Sequence, residues 1–305
     1  MTRHLLDIAG LGVDDIETLI DRAGELALGA DCDARSGVVA NLFFEASTRT
    51  RVSFQIAARR LGLEVVNIDH SVSSTTKGES LADTASTLAA MGVDAIVLRH
   101  PGDDAAADLA ERLGERDVSI VNAGSGQHAH PSQALLDAAT LRAAGLDWRG
   151  LTIAILGDVR HSRVARSDVE LFARLGVEDI RLAGPPAFMP DADEMPEAVR
   201  CADIDEALDG VDAVVCLRIQ RERIGEQGYP DGAAFHARWG LTPERLARMP
   251  AHARILHPGP VNRDVELAAS LIDHPRSLII EQVRIGVHLR TALFEWLIEP
   301  TPSRH

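Results

Sequence analysis

A run of hydroxyl and arginine side chains, Ser47-Thr48-Arg49-Thr50, stands between an apolar stretch with strand character and a run with helical periodicity. The first N–H groups of a helix have no partner inside the helix, so they can bind an anion. Three hydroxyl groups and the Arg49 guanidinium would add donors to the same anion. The pattern indicates a phosphate site without a glycine-rich loop. The same residues could instead only cap the helix beside a solvated arginine.

Polar residues also occur at two later points where predicted strands end. Arg99 directly follows a strand predicted at 95–98, and His130 with Gln133 lies where a helix is predicted to begin. Ligands of open parallel sheets bind outside the carboxyl ends of the strands. Taken alone, Arg99 could be salt-bridged and His130 could cap its helix. His128 and His130 have a spacing that can ligate a metal, but no carboxylate or cysteine set accompanies them, so we expect no metal site.

The second half of the sequence carries arginines at the ends of two predicted strands. Arg163 follows the strand at 151–156, and Arg218 with Gln220 follows the strand at 213–217. The planar guanidinium fork suits bidentate binding of carboxylates. Without further information, both segments could be ordinary charged loop ends.

Short β-branched runs alternate with helical patterns along the whole chain. Strands are predicted at 38–44, 64–68, 95–98, 119–122, 151–156, 180–183, 213–217 and 254–256, and helices at 52–61, from 81, from 130, at 164–175 and at 287–298. This rhythm predicts an α/β fold of two doubly wound domains, each with a mostly parallel sheet flanked by helices. The 305 residues also exceed the usual length of one domain.

The predicted domains are residues 1–135 with a C-terminal helix at 286–305, and residues 136–285. A helix beginning near His130 would connect them, and we expect the active site in the cleft between them. The region 220–243 is predicted to be a loop that is long enough to serve as a lid.

Composition excludes several classes of function. A net charge of −15 disfavours nucleic acid and anionic membranes, and only 4% of the residues are aromatic. Three cysteines, Cys32, Cys201 and Cys216, show no CxxC spacing, which argues against disulfides or structural zinc. No window approaches 18 uncharged apolar residues. We expect a cytoplasmic protein with no metal and no cofactor.

The segment Phe-x-Glu-x-Ser-Thr-Arg-Thr-Arg at 43–51 closely resembles the carbamoyl phosphate motif of the aspartate and ornithine carbamoyltransferases. Glu45 resembles the aspartate branch, because the ornithine branch usually carries lysine there. The resemblance implies that Ser47, Thr48, Arg49 and Thr50 hold the phosphate, with Thr50 also near the carbonyl oxygen.

The loop Lys77-Gly78-Glu79-Ser80-Leu81-Ala82-Asp83-Thr84 looks like the family's Lys-Gly-Glu-x-Leu-x-Asp-Thr loop. In the family this loop enters the active site of the neighbouring subunit. The resemblance implies that Lys77 and Ser73 contact the substrates across chains, although Ser74 could take the place of Ser73. It also implies a homotrimer with shared active sites.

Three more motifs resemble the family's donor site: Arg-His at 99–100, His-Pro-Ser-Gln at 130–133 and His-Pro-Gly-Pro at 257–260. The resemblance implies that Arg99 bridges phosphate and carbonyl oxygen, that His130 donates to the carbamoyl oxygen and that Gln133 holds the carbamoyl nitrogen. The backbone carbonyls of Gly259 and Pro260 would accept from the attacking amine and the carbamoyl nitrogen.

For the second substrate, Arg163 matches the family's Gly-Asp-x-x-x-x-Arg pattern, and Arg218 with Gln220 matches its Arg-x-Gln pattern. The resemblance implies that these residues bind L-aspartate, together with Lys77 and Pro260. It implies transfer of the carbamoyl group of carbamoyl phosphate to the aspartate amine, the committed step of pyrimidine biosynthesis.

Three alternatives compete with this interpretation. A structural subunit without catalytic activity should have lost some of the charged or hydroxyl site residues, yet all of them are present. Ornithine carbamoyltransferase is weakened by Glu45 and by the absence of that branch's Asp-x-x-x-Asn and His-Cys-Leu-Pro motifs. A Rossmann oxidoreductase lacks the G-x-G-x-x-G run after the strand that precedes Gly157. The sequence leaves open whether regulatory chains or dihydroorotase join the trimer.

Overall fold

A computed structural model describes residues 2–69, 80–220 and 231–300. The chain divides into two compact units, Met1–Ala139 with Val283–His305, and Thr140–Gln282. Both boundaries fall inside helices, α5 (Pro131–Ala143) and α10 (Ile279–Leu297). The predicted α/β fold of two parallel-sheet domains is confirmed. The resemblance also implies that the first predicted domain binds carbamoyl phosphate and the second binds aspartate, and this assignment stays a prediction.

The first unit contains a four-stranded parallel sheet in the order β2-β1-β3-β4. Its strands are β1 (Val38–Phe43), β2 (Glu64–Asp69), β3 (Ala95–His100) and β4 (Ser119–Ser125). Its helices are α1 (Val13–Ala27), α2 (Thr48–Arg60), α3 (Leu81–Ala90) and α4 (Ala105–Leu113), with the first part of α5 and most of α10. Buried aliphatic residues such as Leu42, Ile96 and Leu109 fill the core, which fits strands covered by helices.

The second unit contains a five-stranded parallel sheet in the order β7-β6-β5-β8-β9. Its strands are β5 (Thr152–Leu156), β6 (Asp179–Ala183), β7 (Val199–Arg200), β8 (Ala213–Cys216) and β9 (Arg254–Leu256). Its described helices include α6 (Arg163–Arg174), α7 (Ile204–Leu208), α8 (Gly232–Trp239) and α9 (Pro243–Arg248). Phe188, Phe235 and Trp239 add aromatic volume to a core that is mostly aliphatic.

Three predictions from the sequence are wrong in their limits. Arg99 lies inside β3 and not after it, because Phe44 donates its N–H to the Arg99 carbonyl at 2.8 Å and prolongs the ladder. The predicted loop at 220–243 contains α8, whose first turn is capped by Asp231; residues 221–230 lie outside the described residues. The C-terminal helix begins at Ile279 and continues through Gly286, whereas the sequence pattern predicts a helix only at 287–298.

The two sheets bring the predicted site residues of each unit to one edge. The carboxyl ends of β1, β3 and β4 are neighbours in the first sheet, and those of β5, β8 and β9 are neighbours in the second. Every predicted site residue among the described ones lies at or after one of these six ends. Within the described ranges, no helix is both long and apolar enough to cross a bilayer.

Candidate active site

The start of α2 leaves its first N–H groups without a side-chain cap. Ser47 is the N-cap residue with extended backbone, and among the described residues its side chain makes no hydrogen bond to the first N–H groups of the helix. The first turn contains no acidic residue, Thr48 and Arg49 are exposed, and Thr50 is buried. The partial positive charge of the helix start is therefore not neutralised by an acidic residue or a side-chain cap in its first turn.

Arg99 is held next to this helix start by strand pairing and by two side-chain contacts. It pairs with Phe43 across β1 and β3, and Phe43 lies just before Ser47 in the chain. Its Nη1 donates to the carbonyl oxygen of Ala123 at 3.0 Å, and its Nε lies 3.4 Å from Oε2 of Glu45. Glu45 was a marker of the aspartate branch in the sequence; in the structure it also orients Arg99.

His130 and Gln133 are fixed by the first turn of α5. The carbonyl oxygen of His130 accepts the N–H of Gln133 at 2.9 Å, and Pro131 occupies the first helical position, where its missing N–H costs nothing. The Ser132 hydroxyl lies 3.5 Å from His130 Nδ1. Both His130 and Gln133 are buried, and Gln133 Nε2 donates to Oδ1 of Asp137 at 2.9 Å.

The first unit therefore gathers most of its predicted residues at a single sheet edge. These are Ser47, Thr48, Arg49 and Thr50 after β1, Arg99 at the end of β3, and His130 and Gln133 after β4. The set combines hydroxyl, guanidinium, imidazole and backbone donors, which suits an anion with an adjoining carbonyl group. Ser73 and Lys77, which follow β2, lie outside the described residues.

The start of α6 in the second unit is organised differently. Ser162 caps the helix by accepting the N–H of Ala165 at 3.1 Å, so its hydroxyl is used inside the protein. Arg163, the first residue of the helix, is only 5% exposed. Ligand recognition here would come from the Arg163 guanidinium and not from open N–H groups.

A buried carboxylate links the ends of β5 and β8. Asp158 Oδ1 lies 2.7 Å from His161 Nδ1, and Asp158 Oδ2 accepts the N–H of Gln220 at 3.4 Å. Gln220 Nε2 donates to the carbonyl oxygen of His161 at 3.0 Å. The first bond fixes the Gln220 backbone, and the second uses an N–H of its side-chain amide. The side-chain oxygen Oε1 can therefore act as a hydrogen-bond acceptor. Arg218, two residues earlier, is half-buried at the same strand end.

The turn after β9 is supported by a buried histidine and glutamate. His257 Nδ1 accepts the N–H of Gly259 at 2.8 Å, so its proton sits on Nε2, which donates to Glu266 Oε1 at 3.0 Å. Glu266 also accepts the N–H of Asn262 at 2.6 Å. The Gly259–Pro260 peptide bond is cis. This network holds the backbone that carries the Gly259 and Pro260 carbonyl groups.

Several supporting residues were missed by reasoning from the sequence. Asp158 and His161 lie within the Gly-Asp-x-x-x-x-Arg pattern, yet only the fold reveals their contacts with Gln220. Glu266 lies outside the His-Pro-Gly-Pro motif of the turn that it supports, so no sequence pattern singled it out. Burial raises the pKa of the Cys216 thiol and the charge of Glu266 acts in the same direction, so this cysteine is a poor nucleophile. The described residues contain no cluster of three metal-ligating side chains.

Comparison with known protein families accounts for nearly the whole chain. Residues 3–143 match the carbamoyl-P binding domain of the aspartate/ornithine carbamoyltransferases, and residues 149–297 match the Asp/Orn binding domain of the same family. The two matched segments contain every predicted site residue. They also meet near the boundary between the two compact units.

Individual relatives agree with the family models. The aspartate carbamoyltransferase catalytic subunit of Stenotrophomonas maltophilia (strain R551-3) is 48% identical over 304 residues, with 97% of this chain and 96% of the relative covered. The same subunit of Salinispora tropica is 45% identical over 307 residues, with 98% of each chain covered.

Solved structures give the same result. Aspartate transcarbamoylase from Trypanosoma cruzi, in complex with carbamoyl aspartate and phosphate, is 30% identical with a TM-score of 0.87, covering 98% of this chain and 96% of the other. Its complex with N-(phosphonacetyl)-L-aspartic acid has the same TM-score, identity and coverage. The chain belongs to the aspartate/ornithine carbamoyltransferase family, in its aspartate carbamoyltransferase branch.

Proposed function

We propose that this chain transfers the carbamoyl group of carbamoyl phosphate to the amine of L-aspartate and releases N-carbamoyl-L-aspartate and phosphate. The observation that carries the proposal is the pair of complementary half-sites. One unit offers an open helix start with Arg49 and Arg99, suited to a phosphate. The other offers Arg163 and Arg218 with an oriented Gln220, suited to an amino acid with two carboxylates.

The donor half-site suits the charge that develops during the reaction. Attack by an uncharged amine on the carbamoyl carbon places negative charge on the carbonyl oxygen. Thr50, Arg99 and His130 are buried or half-buried donors at one sheet edge, and they would stabilise that oxygen without reorganising. Ser47, Thr48 and Arg49 would retain the phosphate as it leaves.

The acceptor half-site favours aspartate over ornithine. Arginine forks bind carboxylates, whereas the cationic side chain of ornithine would meet like charge from Arg163 and Arg218. The Gln220 amide oxygen is an acceptor suited to the substrate amine. The Gly259 and Pro260 carbonyl groups, held by His257 and Glu266, would accept from the attacking amine and the carbamoyl nitrogen.

No side chain is required as a general base in this mechanism. The aspartate amine attacks, the C–O bond to phosphate breaks, and the departing phosphate takes the proton that the amine loses. Water must be excluded while this happens, because it would hydrolyse the donor. Positioning two bound substrates is therefore the main contribution of the protein.

We further propose a homotrimer in which Lys77 and Ser73 complete the site of a neighbouring chain, and a role in the committed step of pyrimidine biosynthesis. The match to the family loop at 77–84 and the aspartate carbamoyltransferase relatives support these proposals. A cytoplasmic location stays a prediction.

The activity is tested by supplying purified protein with radiolabelled carbamoyl phosphate and either L-aspartate or L-ornithine. We expect labelled N-carbamoyl-L-aspartate and at most trace N-carbamoylornithine. Efficient labelling of ornithine, or of neither amine, would contradict the proposed function.

The shared site is tested by mixing two inactive variants. Lys77→Ala chains and Arg49→Ala chains should regain part of the activity when they form mixed trimers, because one interface then carries both intact halves. Mixed trimers that form but stay inactive would count against Lys77 acting across chains.

A further inference from the structure

A buried polar network lies behind Gln133, in the first unit. Gln133 is 7% exposed, and its Nε2 donates to Oδ1 of Asp137 at 2.9 Å, one turn further along α5. Asp137 is completely buried. A fully buried carboxylate is costly unless a positive charge or several donors accompany it.

Arg290 on α10 is a buried positive charge that acts on Asp137. Arg290 is 3% exposed, its Nη1 donates to the Gly286 carbonyl oxygen at 2.9 Å, and its guanidinium lies 4.9 Å from the centre of the Phe54 ring. Burial lowers the pKa of Arg290 to about 10, and the charge of Asp137 acts in the opposite direction. Arg290 is therefore protonated at neutral pH and favours the ionised form of Asp137.

Gly286 makes room for this guanidinium. A methyl group at position 286 would lie 2.7 Å from Arg290 Nη1 and 3.2 Å from Leu136 Cδ2. Glycine inside a helix is unfavourable by itself, so its presence in the middle of α10 is explained by the close approach of Arg290.

The charge state of Asp137 determines which way the Gln133 amide faces. An ionised carboxylate only accepts hydrogen bonds, so the Gln133 amide must offer its NH₂ group to Asp137. The amide oxygen is then the group left to meet a ligand, and it can only accept. A carbamoyl group ends in NH₂, which can donate to that oxygen; an acetyl group ends in a methyl, which cannot.

We propose that Asp137 and Arg290 are positioning residues that lock the Gln133 amide with its oxygen toward the donor substrate, and so select a carbamoyl group over an acetyl group of the same shape. This inference rests on the proposed function and on the contact between Gln133 and the carbamoyl nitrogen that the family resemblance implies. Unpaired buried polar groups are strongly disfavoured, so the lock should be worth roughly 10- to 100-fold in selectivity.

The test uses two stable phosphonates that differ only in this group. Phosphonoacetamide carries the amide NH₂, and acetonylphosphonate carries a methyl in its place. Calorimetric titration of the full-length protein gives the ratio of their Kd values, and we expect the wild type to bind the amide roughly 10-fold or more tightly than the ketone. Equal affinities in the wild type would overturn the proposal.

Two variants remove the lock in different ways. In Asp137→Asn, the new amide can donate to Gln133. The Gln133 amide can then flip, so that its NH₂ group and no longer its oxygen faces the donor substrate. In Gly286→Ala, every charge is kept but the guanidinium is displaced. Both should reduce the preference for phosphonoacetamide about 10-fold while acetonylphosphonate binding changes little. Equal weakening of both ligands, or no change in the ratio, would overturn the proposal.

Thr291→Val is the matched control. Thr291 is buried on α10, and its hydroxyl donates to the Val287 carbonyl oxygen at 2.9 Å within the same helix. It should leave the ratio of the two Kd values unchanged. These titrations contain no aspartate, so a wild type that prefers the amide but fails to carbamoylate aspartate would overturn the proposed function alone.

Discussion

The starts of α2 and α6 both follow the end of a parallel strand, yet they present different groups. At α2 the N-cap serine makes no side-chain hydrogen bond to the first N–H groups of the helix, and the two residues after it are exposed. At α6 the N-cap serine is bonded to Ala165, and the arginine after it is buried. The first helix start therefore has backbone N–H groups that no N-cap side chain uses. At the second helix start, the N-cap side chain uses one of these groups, and a buried arginine follows it.

This difference fits the two substrates. A phosphate has several equivalent oxygen atoms and can be held by a cluster of N–H and hydroxyl donors. A dicarboxylic amino acid is recognised through its two carboxylates and its amine, which requires separate side chains with fixed geometry. In the proposed function, the open helix start would hold the phosphate, and the closed one would position an arginine for a carboxylate.

Removing a donor arginine should have the largest effect. Arg99→Ala is expected to lower kcat about 100- to 1000-fold, because the developing oxyanion loses a charged donor, and Arg49→Ala should be similarly impaired. Steady-state assays with carbamoyl phosphate and aspartate measure this. Arg59→Ala, an exposed position on α2, removes the same charge and should stay close to wild type. Near-wild-type turnover of Arg99→Ala and Arg49→Ala would refute the mechanism.

A methyl group at Gly157 should disturb the second half-site by displacing the backbone next to Arg218. Gly157 follows β5 with φ +113, and a methyl there would lie 2.5 Å from the Leu217 carbonyl oxygen, just before Arg218. Gly157→Ala is expected to lower the free energy of unfolding by about 3 kcal/mol and to weaken aspartate binding.

Gly176→Ala provides the control for that substitution. Gly176 has φ +87, but a methyl there meets no atom within 4 Å, so only about 1 kcal/mol should be lost. Urea unfolding of both variants gives the comparison. Equal losses would mean that the close approach to Leu217 is unimportant.

The two N-cap serines should separate binding from stability. Ser47→Ala is expected to raise the KM for carbamoyl phosphate about 10-fold and leave the unfolding free energy nearly unchanged. Ser162→Ala should lower the unfolding free energy by about 1 kcal/mol, because a helix cap is lost. Kinetics and urea unfolding on the same preparations test both. If Ser47→Ala lowered the unfolding free energy without changing the KM, Ser47 would have a structural role and not a role in binding.

The smallest effect is expected at Glu194, which supports the α6 region from outside the site. Hydrogen bonds from the Asp191 N–H and from Arg166 lower the pKa of Glu194 below its ordinary value of 4.5. The ionised form therefore stabilises the folded state above that value, and this contribution is lost as the pH falls through the lowered pKa.

Glu194→Gln should accordingly cost about 0.5 kcal/mol at pH 7, since the pair with Arg166 is partly exposed. The difference from wild type should shrink as the pH is lowered below 4.5. Unfolding midpoints at several pH values measure this, and a difference that grows on acidification would contradict it.

The sequence predicted the sheets well because buried parallel strands are continuous apolar runs, such as the one from Val38. It predicted the start of the last helix poorly, because Gly286 interrupts the pattern and its packing reason, Arg290, appears only in the fold. Family motifs supplied the residues that would touch substrate. The contacts of Asp137 with Gln133 and of Glu266 with His257 depend on tertiary packing, which spacing alone does not encode.

The central claim is that the two half-sites act on one pair of substrates. N-(phosphonacetyl)-L-aspartic acid joins a phosphonate to aspartate, so its calorimetric titration tests the claim directly. We expect one molecule to bind per chain, at least about 100-fold more tightly than phosphonoacetamide, with Arg49→Ala and Arg218→Ala each weakening binding about 100-fold. Binding no tighter than that of phosphonoacetamide, or unaffected by Arg218→Ala, would contradict the claim.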